Sequence, residues 1–276
     1  MKTYLNTDIV RYRTLSAREL RDSFLLEALH VPGELHLAYI ESDRAVVGFA
    51  VPKEKPLALP TPSQLRANFF LERREIGALN IGGPGAIVAD GQTYSLNHLD
   101  CLYLGRGVRN VEFSSQDAEN PARFYLLSYP AHAAHPTMLV LKADASPMDL
   151  GSQENANQRT VYKYIHMAGA QSCQLVMGVT HLQSGNVWNT IPPHTHLRRS
   201  EIYMYFNVGD QDRVVHFMGA PDDTRHIMVA NHGVVVSPVW SIHAGAGTRA
   251  YSFCWGMGGE NQDYADMDVL QITELL

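Results

Sequence analysis

Apolar residues along this chain fall mostly in short runs broken by Gly, Pro, Asn and Asp, and seldom at helical spacing. LHLAYIES and AVVGFAVP read as two strands joined by a polar turn at Ser42-Asp43-Arg44. From residue 76 to 113 the pattern is all-β, with Gly82-Gly83-Pro84-Gly85 and Asp90-Gly91 marking tight turns. A polar, turn-rich stretch, KADASPMDLGSQENANQRTVYKYI, reads as the connection between two halves. Beyond it, TVYKYIHM, CQLVMGVTHLQ, NVWNTIPPHTH, VVHFMGAP, HIMVANHGVVVSP, VWSIHA and RAYSFCWG continue the series of strands. The exception is residues 14 to 28. There Ser16 and Glu19 form a capping box, and Leu20 and Phe24 fall on one apolar face, so a helix outside the sheets is expected, packed on a partner subunit. Many short strands with turn residues between them favour antiparallel barrels or sandwiches over alternating β-α units. The expectation is an all-β chain with a few peripheral helices and two β domains. The first spans 1–150 and carries the N-terminal helix; the second spans 151–276.

Candidate chemistry concentrates in Ile191 to Asn207, IPPHTHLRRSEIYMYFN. On an extended strand His194 and His196 point the same way, because successive side chains alternate faces. The odd spacing from His196 to Glu201 requires a bend or bulge through Leu197-Arg198-Arg199-Ser200 to bring the carboxylate beside the imidazoles. Imidazole plus carboxylate suits a divalent first-row metal. A fourth ligand is expected from His243, which closes a short strand after Pro238 and precedes Gly245 and Gly247. His216, His226 and His232 compete for that role. His132 and His135 sit between Pro130 and Pro136, where a helix is improbable, and read as loop or interface histidines.

His-x-His-x4-Glu with a later histidine resembles the two metal-binding motifs of the cupin superfamily, with Trp240 where a glycine is common in the second. The resemblance extends further. MKTYLNTDIVRYRTLSARELRDSFL, ALNIGGPGAIVADGQTYSLNHLDCLYLGRG, NQRTVYKYIH and IPPHTHLRRSEIYMYF are similar to the 5-keto-4-deoxyuronate isomerase family, also called 4-deoxy-L-threo-5-hexosulose-uronate ketol-isomerases, which act in pectin breakdown. That resemblance implies a two-domain bicupin whose first barrel is a degenerate copy without metal. It implies one zinc per subunit on His194, His196, Glu201 and His243, and a homo-oligomer, in the family a hexamer. It also selects among the chemistries such a ligand set supports: an aldose-to-ketose isomerisation of a uronate through an enediol. An iron-dependent dioxygenase with the same ligands would consume oxygen, and a metal-containing sugar-acid-binding protein would bind without turnover.

Acid-base and substrate-binding groups are less constrained by pattern. Tyr203 and Tyr205 share Glu201's parity, and Arg249 and Tyr251 share a side of the strand after His243, which makes Tyr203, Tyr205 and Arg249 candidates. Arg159, Lys163, Arg198 and Arg199 are further cations for a substrate carboxylate, and Gln174, His166 and His181 could line a pocket. The chain has 276 residues, 45% hydrophobic and 18% charged, which suits a globular enzyme with a large core. A formal charge of −6 argues against nucleic acid or an anionic membrane as partner. Cys101, Cys173 and Cys254 are widely spaced, in keeping with a reducing compartment. Lys2 is followed by polar residues rather than an apolar run, and a cytoplasmic enzyme is expected.

Overall fold

The computed structural model describes residues 1–259 and 266–276. Contacts divide the chain into two units. The first comprises 1–4, 28–146 and 163–177; the second comprises 5–27, 147–162 and 178–276. A single cut near residue 150 therefore does not describe the chain, and the N-terminal helices belong with the second unit. The short helix α1 (Ile9–Tyr12) and the longer α2 (Ala17–Phe24) sit in this exchanged segment. The capping box is present: Ser16 Oγ accepts from the Glu19 amide, and the Glu19 carboxylate accepts from the Ser16 amide. The apolar face carrying Leu20 and Phe24 is buried within the same chain. Tyr12 and Phe24 pack on Trp240, and Leu25–Leu26 pair with Val234 and Val235. The apolar face of this helix is thus covered within the chain's own second unit.

Among the described residues the two units repeat one topology. The first contains a seven-stranded sheet in the order Lys2–Tyr4, Leu35–Ile40, Ala45–Ala50, Phe124–Pro130, Arg74–Asn80, Cys101–Leu104 and Met138–Val140. Its four-stranded partner runs Leu57–Ala58, Val111–Ser115, Gly85–Ala89 and Gln92–Leu96. The second set has seven strands in the order Met148–Leu150, Arg159–Ile165, Val176–Leu182, Ser252–Gly259, Arg199–Phe206, Val234–Ser237 and Leu25–Leu26. Its four are Trp188–Asn189, Ile242–Gly247, Val214–Ala220 and Asp223–Val229. Among the described residues Lys2–Tyr4 pairs parallel with Leu35–Ile40, whereas the central ladders, Phe124–Pro130 with Arg74–Asn80, Arg199–Phe206 with Ser252–Gly259 and Val214–Ala220 with Ile242–Gly247, are antiparallel.

Ladder registers place residues of one unit opposite their counterparts in the other. Ile76 pairs with Ser128 and Leu104, and Glu201 pairs with Met257 and Ser237, so Ile76 stands in the position of Glu201. Counting back two residues from the hairpin ends Ala89 and Ala220 reaches Ile87 and Met218, whose ladder partners are Phe113 and His243. The first unit fills this interior with a cluster that includes Ile76, Ile87, Phe113 and Phe124. The second places polar groups there.

The candidate metal centre

Three elements of the second unit, and the turn between two of them, deliver the candidate ligands. His194 lies on the two-residue strand His194–Thr195; Glu201 is the third residue of Arg199–Phe206; His243 is the second residue of Ile242–Gly247. The chain turns between Thr195 and Arg199, as the odd spacing requires. There His196 Nδ1 meets the Arg199 carbonyl at 2.8 Å, which aims Nε2 inward at Glu201, the nitrogen that would ligate a metal once the ring is neutral.

Four donor atoms converge. His196 Nε2 is 3.0 Å and His243 Nε2 is 2.8 Å from the Glu201 carboxylate, and His243 Nε2 is 3.0 Å from His194 Nε2. One ligand atom from each of the four residues lies within 4.8 Å of every other. His196, Glu201 and His243 are buried, and His194 is half-buried at the mouth of the cavity. Donors at metal-ligand distances around one tetrahedral ion stand about 3.3 Å apart, so these separations fit a single divalent ion. An apolar core gains nothing from three imidazoles packed on a carboxylate, whereas a cation at their centre satisfies all four. A buried group of this kind fits a resident metal.

The electrostatics agree. Burial alone would raise the Glu201 carboxyl, but the charge of His243 and the hydrogen bonds from His196 and His243 hold it well below the usual carboxylate range. Burial pushes His194 down to about 3, with the positive fields of His243 and His196 adding to the effect and Glu201 opposing it. Burial also depresses His196, but the hydrogen bond and charge of Glu201 outweigh it and raise the group. An anionic carboxylate and a neutral His194 are the forms a metal needs at neutral pH.

A cavity of about 270 Å³ opens on the cluster. Its wall includes His194, Glu201, Arg159, Arg199, Thr190 and Tyr203, with Phe253, Trp255 and Met257 from the neighbouring strand. The Tyr203 hydroxyl is 3.0 Å from Thr190 Oγ1, and its ring meets His243 edge-on at 5.5 Å. Tyr205 shares Tyr203's parity but lies one strand repeat deeper, fully buried, with its hydroxyl 2.8 Å from His216 Nδ1. It does not line the cavity. Gly245 makes room for this inner polar group: a Cβ there would stand 3.2 Å from the Tyr205 hydroxyl and 2.9 Å from Asn189 Nδ2. Burial holds His216, which competed for the fourth ligand place, down at about 3.

Arg249 is not brought to the metal ligands. It occupies the turn after Ile242–Gly247 and lines a separate cavity with His181, Asp212 and Tyr251. Lys163, on strand Arg159–Ile165, and Gln174 do not line the cavity; the Gln174 backbone amide donates to Glu75, and Arg198 pairs with Asp266. Thr190 and the Phe253-Trp255-Met257 row were not singled out by sequence. The alternation of 253, 255 and 257 around a Gly-rich strand was the available signal.

A model of the KduI/IolB family matches residues 33–272. The chain belongs to that family. Curated relatives support the assignment. The 4-deoxy-L-threo-5-hexosulose-uronate ketol-isomerase of Halalkalibacterium halodurans is 49% identical over 97% of this chain and 96% of its own length. The enzyme of the same name from Kineococcus radiotolerans is 50% identical over 95% of each. Among solved structures, an IolB-like protein from Salmonella typhimurium superposes with a TM-score of 0.72 at 15% identity, covering 90% of this chain and 96% of its own. Lactobacillus farciminis oxalate decarboxylase superposes with a TM-score of 0.59 at 11% identity, covering 89% of each chain. These structures share this chain's fold, which is all-β as the strand pattern predicts and cupin-like as the resemblance implies. Among the described residues no helix is long and apolar enough to cross a membrane.

Proposed function

We propose that this KduI/IolB family member is a ketol-isomerase that converts 4-deoxy-L-threo-5-hexosulose uronate to 3-deoxy-D-glycero-2,5-hexodiulosonate. The observation that carries the reading is the His194-His196-Glu201-His243 cluster opening on a cavity with arginines on its wall, in a chain nearly half identical to enzymes of that name. Zinc is the proposed ion, one per chain, since three imidazoles and one carboxylate make a donor set suited to it. When bound, it would polarise the substrate carbonyl and stabilise negative charge developing on the substrate oxygens.

The chain's own groups do the rest. In the open-chain substrate a base takes the proton from the carbinol carbon beside the aldehyde while the aldehyde oxygen gains one, giving an enediol; the base then returns its proton to the former aldehyde carbon while the carbinol oxygen loses its own, so the carbonyl moves one position with no net redox change. Among the described cavity residues, Tyr203 is the one titratable side chain that is neither a ligand nor a guanidinium. Its hydroxyl, which meets Thr190 Oγ1, is our candidate for moving a proton between the two adjacent oxygens. Phe253, Trp255 and Met257 cover one wall with apolar surface, which excludes water from a reactive enediol. The reading extends to pectin or other polyuronate breakdown in the cytoplasm, a homo-oligomer of the hexameric kind, and a first unit that keeps the cupin-like scaffold without the metal.

The test is turnover of the 4-deoxy-5-ketouronate followed by NMR under anaerobic conditions. Oxygen-independent formation of the 2,5-diketo acid supports the reading; product that appears only with oxygen, or no product from metal-loaded protein, overturns it.

A further inference from the structure

Both units place a buried arginine at the same register of the same strand. Arg74 pairs with Pro130 across its ladder, and Arg199 pairs with Gly259, each at the end of the corresponding strand pair. In the first unit the guanidinium is bound into the scaffold: Nε donates to Ser128 Oγ at 3.0 Å, and Nη2 donates to the Ser128 and Arg44 carbonyls at 2.8 and 2.7 Å. In the second unit the residue matching Ser128 is Met257, whose sulfur, a weak acceptor, lies 2.7 Å from Arg199 Nη1. The counter-charge arrives from elsewhere. Asp266 Oδ1 stands 2.6 Å from Arg199 Nη2, and Asp266 Oδ2 stands 3.2 Å from Arg198 Nη2.

Asp266 heads a strap that lies along the metal site. Thr195 pairs with Asp268 and His194 pairs with Val269, the Leu270 amide donates to the Pro193 carbonyl, and Met267 and Val269 line the cavity. Arg199 lines the same cavity and sits two residues from Glu201 on the same face of one strand. Two residues of strand span about 6.6 Å, comparable with a six-carbon acid stretched from its carboxylate to its carbonyl end. Arg199 is 2% exposed, so a carboxylate brought to it meets a desolvated guanidinium, where charge-assisted pairing is strong.

We propose that Arg199 is the cation that receives the substrate carboxylate, and that Asp266 is an internal carboxylate holding that place until the substrate displaces it. The inference rests on the uronate reading above. The two carboxylates exchange on one guanidinium, with Arg198 retaining Asp266 at the rim, so no buried charge is left alone at any stage. Arg159, the other guanidinium on the wall, is half-buried and donates to the Asn157 carbonyl. It is the rival the test must separate.

The probe is D-gluconate, a six-carbon acid without a carbonyl to isomerise. Its binding to metal-loaded wild type, Asp266→Asn, Arg199→Lys and Arg159→Gln is measured by calorimetry, with thermal melting to verify folding and KM for the ketouronate measured alongside. Removing the competitor makes Asp266→Asn bind gluconate several-fold more tightly than wild type, a gain that misfolding cannot produce. Arg199→Lys weakens binding and raises KM at least about ten-fold, the worth of a charged hydrogen-bonded pair. Arg159→Gln loses less binding than Arg199→Lys does. Unchanged or weaker binding in Asp266→Asn, or the larger loss in Arg159→Gln, overturns the proposal, as does gluconate binding to none of the four. Should wild type bind gluconate in this pattern yet fail to turn over the ketouronate, the isomerase reading falls and the carboxylate assignment stands.

Discussion

The two β units share strand order, ladder register and a buried arginine, and differ in what faces inward. Where the first has Ile76 and Phe113, the second has Glu201 and His243. Each unit also buries a carboxylate, to different ends. Glu75 in the first, fully buried, accepts from the amides of Cys173, Gln174 and Leu175 and from the Tyr103 hydroxyl, so its charge is spread over backbone donors that pin a loop. Glu201 in the second faces two imidazoles instead. One scaffold therefore supports a dry core or a His/Glu cluster that could hold a metal, according to a few inward positions. The strands on either side are indifferent to the choice.

Substitutions at matched positions separate the two roles. His243→Ala and Glu201→Gln remove a ligand each and are expected to abolish both bound metal and turnover, read by elemental analysis and NMR. At the position matching His243, Phe113→Ala leaves metal content intact but opens a cavity, and costs about 3–5 kcal/mol in denaturant unfolding. A metal loss in Phe113→Ala comparable to that in His243→Ala would remove the distinction between the units.

Inside the second unit, depth along one strand face is the next contrast. Tyr203→Phe is expected to lower kcat about 100-fold, the lower range for a general acid-base group, with KM little changed. Tyr205→Phe, one repeat deeper and outside the cavity, and Arg249→Ala, in a separate cavity, should each leave kcat within about three-fold of wild type on the same scale. Equal losses in Tyr203→Phe and Tyr205→Phe would place the proton transfer elsewhere.

The smallest effect concerns pH, and it is shared by both units. Burial holds His216 down at about 3 in the second unit and lowers His30 and His98 in the first. The unfolded chain binds these protons near the ordinary histidine value of about 6.5, while the folded chain resists them. Stability is therefore unaffected by these groups above that value and declines as pH falls below it, for His216 progressively towards pH 3. Melting temperatures of metal-free protein between pH 7 and 5 should fall. A melting temperature that rises over that interval would contradict the burial of neutral imidazoles.

The sequence made the candidate ligands legible because strand alternation and the short bend after His196 leave few ways to gather two histidines and a glutamate, and the short strand between Pro238 and Gly245 pointed to His243 as the fourth, the same set that the resemblance to known isomerases implies. The all-β pattern was equally plain from the turn residues. What parity could not convey was depth: Tyr203 and Tyr205 share a face, yet one repeat carries the second behind the cavity. Nor could it show which end of a sheet a turn reaches, so Arg249 looked close to His243 in sequence and lines a separate cavity. The exchange of the N-terminal helices into the second unit was hidden for another reason. It rests on long-range pairing of Leu25–Leu26 with Val234 and Val235, which no local pattern records. The topological repeat was faint because its interior positions, Ile76 against Glu201 and Phe113 against His243, differ in chemical kind.

The most direct test of the central claim joins metal content to chemistry in one experiment. Wild type, His243→Ala and Phe113→Ala are purified, their bound metal is measured, and anaerobic conversion of the ketouronate is followed by NMR. One zinc per chain with oxygen-independent isomerisation in wild type and Phe113→Ala, and neither in His243→Ala, is the predicted result. Full isomerisation by metal-free His243→Ala would contradict the account.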